Sequence, residues 1–315
     1  MKNFIKIAVF LPVFLVLVAC VPTPQRQALS IQDKSSIKSN RVLLNTTQRE
    51  IVMHQNLWLD SDLSDMYEPM DSGPIVTHTE TVAAGGGLLG DLMVEGIKHH
   101  DAGNAVKLMD PAQSALGDFD YVKCFRNQLT QKMTDLPWLK VKAQDLQYNI
   151  SDSEDKIVNS AKENTVLFVG TTYALNSTFK RLEVATYVKL DQKQAAGNPP
   201  KVLYTNNFYF IYLIPNPTDK ATNEKFWTSN NGVMLRSKLT DAASLLSSMI
   251  VDDIKNPNLD PYAQIPKTVT FHAIDGDRVK AKLVGNKNGN YILSLNTSGN
   301  MNGYMYAVNS NDLPS

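Results

Sequence analysis

The stretch TVLFVGTT, Thr165–Thr172, is continuously apolar and β-branched. That composition is what a strand covered on both faces needs. Beyond it, in RLEVATYVKL, Arg181–Leu190, the residues Leu182, Val184, Val188 and Leu190 alternate with Arg181, Glu183, Tyr187 and Lys189. A period of two predicts a half-buried strand. The Gly-Asn-Pro-Pro turn at 197–200 leads into VLYTNNFYFIYLI, Val202–Ile214, a third strand dense in aromatics. After a Pro-Asn-Pro turn, Leu235, Leu239, Ala242, Leu246, Met249, Ile250 and Ile254 recur every three or four residues, the mark of a long amphipathic helix. Antiparallel strands closed by a helix imply a sheet with helices packed on one side.

Working outward, Val42–Leu44 is a candidate first strand. Asp110-Pro111 carries a helix-start signal, with aspartate as cap and proline preset at the first helical position. Gly117 and Asp118 restart the helix, and Phe119, Val122, Phe125, Leu129 and Met133 then line one helical face. Leu136-Pro137 ends it, Trp138–Val141 begins a strand, and Ser151–Glu163 is polar enough for a short exposed helix or a loop. Near the C-terminus, Val269, Phe271 and Ala273, then Val279, Ala281 and Leu283, alternate with polar residues around the Asp275-Gly276 turn, a hairpin pattern. Tyr291, Leu293 and Leu295 and the run Tyr304–Val308 complete a four-stranded meander, preceded by a proline-rich linker at 256–266. The expected fold class is α+β: an antiparallel sheet with helices on one side over 42–255, plus linker and small all-β meander over 256–315.

Taken together, TVLFVGTT, LEVATYVKL and the helix of LTDAASLLSSMIVDDI give the region 160–255 a pattern that resembles the TolB amino-terminal-like lipoproteins. That group includes curli-export-type lipoproteins and lipoprotein activators of peptidoglycan synthases. The resemblance covers about a third of the chain and implies export, activation or scaffolding by contact rather than by catalysis.

The chain opens MKNFIKIAVFLPVFLVLVAC. Lys2 and Lys6 form a basic start without acid, and Ile7–Ala19 is an apolar run, the layout of an export signal at 1–19. The run is shorter than the roughly 20 apolar residues a membrane span needs, and Pro12 would weaken it as one. Leu17-Val18-Ala19-Cys20 resembles the lipobox of bacterial lipoproteins, which implies cleavage before Cys20 and lipidation of that cysteine, palmitate included. Val21 follows it, where aspartate would imply inner-membrane retention, so the expected location is the outer membrane, facing the periplasm. Residues 20–41, with Pro, Gln, Ser and charge and little apolar content, read as the acylated cysteine and a flexible tether. Fully extended, such a tether reaches about 70 Å at about 3.3 Å per residue.

The chain carries 31 Lys and Arg against 31 Asp and Glu, and loss of Lys2 and Lys6 leaves 29 basic residues. Such a near-neutral balance offers no basic stripe for nucleic acid, so nucleic-acid binding is excluded from the reading. With Cys20 assigned to lipid, Cys124 has no partner for an internal disulfide and is expected to be a buried thiol.

Motifs for chemistry are sparse. Gly85, Gly87 and Gly90 satisfy G-x-G-x-x-G, with Asp110 downstream as a ribose ligand. Ala83-Ala84 makes a poor buried strand end, and Asp110 has its own capping role, so no cofactor is assigned. Gly86 and Gly90 form a small-xxx-small face, interrupted by Asp91, Glu95 and Lys98. Glycines at a flexible helix entry, with Leu92, Met93 and Ile97 packing one face, are the preferred reading. Asp60, Asp62 and Asp65 lack the glycine and terminal glutamate of a calcium loop. Adjacent His99 and His100, with Asp101, point about 100° apart on a helix and serve a polar helix end better than a metal. His54, His78 and His272 are scattered. HExxH, G-x-S-x-G, CxxC and Walker motifs are absent from the sequence.

No catalytic, cofactor or metal residue is assigned, and Cys20 is the one candidate site, for lipidation. The reading is a non-catalytic lipoprotein joined to the bilayer through Cys20. It binds or scaffolds an envelope protein or cell-wall partner, with homo-oligomerisation open. The alternative is an envelope hydrolase built from dispersed carboxylates. Convergent acids in a cleft would favour the enzyme, and exposed apolar surface the binder.

Overall fold

Three long strands, β4 (Thr165–Asn176), β5 (Arg181–Gln192) and β6 (Lys201–Leu213), form an antiparallel centre in the order expected from their apolar runs. The computed structural model describes residues 27–46, 51–54, 102–148, 152–195, 197–255, 268–272, 278–287, 289–294 and 305–309. Ahead of the centre come α1 (Ile31–Ser36), β1 (Asn40–Thr46), β2 (Val52–His54), α2 (Ala102–Leu116), α3 (Tyr121–Met133), β3 (Val141–Tyr148) and α4 (Glu154–Ser160). After it come α5 (Lys220–Lys255) and strands β7 (Thr268–His272), β8 (Arg278–Lys287), β9 (Asn290–Ser294) and β10 (Met305–Asn309). The strands join in the order β3-β1-β4-β5-β6-β10-β9-β8-β7, with β2 pairing β4 off that path. Strand β1 runs parallel to both β3 and β4.

The fold is α+β, a mixed and mostly antiparallel sheet with its long helices on one side. Alternate residues sort the two faces. Val42 and Leu44 of β1, Leu167 and Val169 of β4, Leu182, Val184 and Val188 of β5, and Phe208 and Phe210 of β6 share one core with α2, α3 and α5. On the opposite face, Leu43, Val166 and Phe168 pack against Val158 and Ala161 of α4 and its end. Further along that face, Ala185, Tyr209 and Ile211 meet Phe271, Leu293 and Tyr306 of the C-terminal strands. Strand β5, expected to be half-buried, is therefore buried along most of both faces. Its alternation is genuine, but α4 and the C-terminal strands cover the polar side.

The four-stranded meander forms, and β10 hydrogen-bonds in parallel to β6, pairing Met305 with Phe208 and Tyr306 with Tyr209. Phe271 of β7 and Tyr306 of β10 have ring centroids 4.8 Å apart, although two strands lie between them in the sheet. In a flat sheet three strand steps would separate them by about 14 Å. The C-terminal strands must therefore curl towards the face they cover.

The flexible tether expected over 20–41 is corrected from Gln27 onward. Gln27 exchanges backbone hydrogen bonds with Thr205, at 2.9 and 3.1 Å, on a part of β6 beyond the reach of β10. Ser30 caps α1 by accepting from the Asp33 amide, and Leu29 and Ile37 are buried in the main core. Polar composition hides two apolar anchors here, and side chains elsewhere in the fold satisfy the segment's backbone.

A second correction concerns Asp110-Pro111. Helix α2 runs from Ala102, and Pro111 sits inside it. Proline removes one hydrogen bond and strains the preceding turn, about 3 kcal/mol. Met109, Ala112 and Leu116 are nonetheless buried in the main core, and that burial holds the helix through the defect. The real break is at Gly117, with φ of 55°, after which Asp120 caps α3 through the Lys123 amide. Strand β3 starts at Val141 rather than Trp138, because Pro137–Leu139 forms a 3-10 turn. The 256–266 linker and residues 20–26 lie outside the described residues.

Candidate functional site

Four titratable side chains that sequence spacing left dispersed meet between α4 and β5. Lys189 and Asp191 lie two residues apart on β5 and so share a face. Ser153 caps α4 by accepting from the Lys156 amide, which sets Glu154 in the helix's first turn, above that face. The Lys189 ammonium lies 2.7 Å from Glu154 Oε2 and 2.8 Å from Asp191 Oδ2. Tyr187, two residues before Lys189, is buried beside them.

The electrostatics follow from burial. Desolvation pushes the Asp191 carboxyl up to about 6, against the pull of Lys189 and with help from the Glu154 charge. Burial by itself would lower Lys189, but Glu154 and Asp191 outweigh it and hold the ammonium above its ordinary value. The Tyr187 phenol is pushed up to about 12 by burial, reinforced by Glu154. At the far end of β5, Arg181 Nη1 lies 3.4 Å from Glu183 Oε1, with Glu183 1% exposed. The polar edge of β5 is thus a row of covered ion pairs.

This geometry can clamp a helix to a sheet. Two carboxylates are already engaged by one ammonium, and Asp191 is 1% exposed. A proton donor poised near pH 6 needs a route to substrate, and Asp191 is instead sealed behind its own lysine. Removing one member of such a buried set leaves uncompensated charge, which costs about 3–5 kcal/mol. Among the described residues, no group of three His, Cys, Asp or Glu is placed to hold a metal ion.

The second notable place is a break in α5. Ser229 is extended, and Asn230, Asn231 and Gly232 follow with φ of 53°, 56° and 68°. A left-handed conformation costs a non-glycine residue about 1–2 kcal/mol, so the two asparagines in succession need outside support. Trp227, fully buried before the break, donates its indole N–H to the Phe179 carbonyl at 2.7 Å. After the break, the Arg236 guanidinium donates to the Ala115 carbonyl at 2.8 and 3.1 Å, closing the C-terminal turn of α2. Gly232 crosses α2 so closely that a Cβ would stand 2.7 Å from that same oxygen. The chain then presents Val233, 62% exposed, and Met234, 36% exposed. Glycine beside two asparagines was the available signal for this break in the sequence.

Of the other residues singled out from the sequence, the described ones are not gathered into a site. Cys20, Gly85, Gly86, Gly87, Gly90, His78, His99, His100, Asp101 and the aspartates at 60, 62 and 65 lie outside the described residues. His54 falls on β2 and His272 on β7, strands on opposite sides of the β5-β6-β10 run. Asp110 is exposed within α2 and caps nothing at Pro111. Cys124, expected to be buried, is half-buried on α3 as a free thiol, and burial raises its pKa against a hydrogen bond with Thr240.

The chain was compared with protein-family models, with curated proteins and with solved structures, and none matches it.

Proposed function

We propose that this protein is an outer-membrane lipoprotein, anchored through acylated Cys20 and facing the periplasm, that works without catalysis by binding or scaffolding a cell-envelope partner. The observation carrying this reading is the contrast between its converging acids and its exposed apolar groups. Glu154 and Asp191 are spent on Lys189, whereas Val233 and Met234 project from a braced helix break. Binding energy concentrates in a few such apolar anchors. Partner chemistry is that of an envelope protein or a cell-wall component, and a second copy of the chain would also fit.

Cross-linked affinity capture from cells tests this. Val233→Ser with Met234→Ser should lose the captured partner while thermal stability changes by no more than about 0.5 kcal/mol, since both groups are solvated. Capture identical to wild type would remove the contact assigned to this break. The hydrolase reading makes a different demand on the α4–β5 cluster. Asp191→Asn would have to abolish cellular function in a protein that still folds, and that result would replace binding by catalysis.

A further inference from the structure

Seven residue steps separate Cys20 from Gln27, where the described fold begins. Covalent geometry limits that span to about 25 Å even when fully extended. If Cys20 carries the acyl anchor, as the proposed function requires, the body cannot stand 70 Å clear of the bilayer. Gln27 is pinned to Thr205, so the surface around it must stay close to the headgroups.

That surface has the chemistry to meet them. Ile31, on the first turn of α1, is 79% exposed. The Lys34 ammonium lies 4.9 Å from the centre of the Trp138 ring and donates to the Lys255 carbonyl at the end of α5. Lys140 reaches the Ile37 carbonyl at 3.0 Å, and Lys38 is exposed between them in sequence. Lys201 pairs with Asp33 at 2.7 Å, and Lys255 with Asp135 at 3.6 Å. Lysines with apolar stems, a tryptophan and a protruding isoleucine are the residue types that settle at a phospholipid interface. Asp33 and Asp135 offset Lys201 and Lys255, so the attraction of anionic headgroups, about 1 kcal/mol for each nearby lysine, rests on Lys34, Lys38 and Lys140.

We infer that the α1 surface, with Ile31 at its centre and Lys34, Lys38, Lys140 and Lys201 around it, rests on the phospholipid bilayer that holds the Cys20 anchor. The Lys255 end of α5 is the one that meets this surface, through the Lys34 contact. From Val233 to Lys255 the helix rises about 33 Å, at about 1.5 Å per residue. The Val233–Met234 break therefore lies at the end of α5 remote from the Lys34 contact, and the inference places it on the side away from the membrane, where a periplasmic partner can reach it.

The experiment uses the full chain purified from bacterial membranes, with Cys124→Ser and a single reporter cysteine at Ile31→Cys or Val233→Cys. Each is labelled with an environment-sensitive fluorophore and reconstituted into phosphatidylethanolamine–phosphatidylglycerol vesicles containing a headgroup-spin-labelled lipid. Position 31 should be quenched several-fold more strongly than position 233. Equal quenching, or stronger quenching at 233, overturns the inference. Intact mass and vesicle flotation separate the two layers of the proposal. Protein that is acylated and floats but leaves position 31 unquenched loses the α1 surface alone, whereas protein without acyl groups that fails to float loses the anchor and this inference together.

Discussion

The β4-β5-β6 centre and the segment from Gln27 to Asn40 are both folded, but they are held by different forces. In the centre, aromatic and branched side chains fill both faces, so the strands carry their own driving force in their composition. Burying one such side chain is worth about 1.5–3 kcal/mol. The N-terminal segment brings two buried apolar side chains, Leu29 and Ile37, and borrows the rest. Asn164, just before β4, accepts from the amides of Lys38 and Ser39 and donates to the Ser36 carbonyl. Gln192 reaches the Ser36 hydroxyl at 2.9 Å. The difference teaches that low apolar content predicts disorder only when no prebuilt surface waits to satisfy the backbone.

The largest expected effect belongs to the centre. Phe208→Ala should cost about 3–5 kcal/mol, because a fully buried ring leaves a cavity on β6. Chemical denaturation should show one cooperative transition moved as a whole. A loss below about 1 kcal/mol would mean that the centre is not the cooperative unit.

The buried carboxylate on β5 makes the next prediction. Asp191 has a folded pKa near 6 against an ordinary value of 3.8. The folded state therefore binds a proton that the unfolded chain releases, and this contribution is fully present below about pH 4 and lost as pH rises through 6. It amounts to at most about 3 kcal/mol, at 1.36 kcal/mol per unit. Melting temperature should rise between pH 7 and pH 5 relative to Asp191→Asn, whose profile should be flatter over that window. Parallel profiles would show that Asp191 is ionised in the fold.

Smaller and local effects are expected at the N-terminal segment. Asn164→Ala removes three hydrogen bonds to residues 36–39 and should cost about 1–3 kcal/mol. Hydrogen exchange should accelerate over 27–39 more than in β5. Uniform acceleration would merge the two regions into one unit and erase the comparison. Smallest is Ser30→Ala, which removes the cap of α1 and should cost about 0.5–1 kcal/mol. Its readout is proteolysis within 27–36, with the global transition unmoved.

Legibility in the sequence followed the range of the interactions. Strands β4, β5 and β6, the buried face of α3 and the second part of α5 could all be read, because a period of two or near 3.6 is written by neighbours. Pro111 misled because its local cost is visible in sequence while the packing of Met109 and Leu116 is not. The Glu154–Lys189–Asp191 cluster was invisible for the same reason: its members lie 35 residues apart, and nothing in either segment announces the other. Cys20, the one candidate site named from the sequence, rests on a local resemblance and lies outside the described residues.

The sequence by itself determined the fold class, the long strands and their order at the centre, since local apolar period and turn residues suffice for those. Tertiary structure alone decided three things. It set that the polar face of β5 would be covered as well as the apolar one, how far the N-terminal segment would be folded, and that the C-terminal strands would extend the main sheet by pairing β10 with β6. Each depends on surfaces that exist only after distant segments have met. Burial and satisfaction of buried polar groups are properties of those assembled surfaces rather than of any stretch of chain.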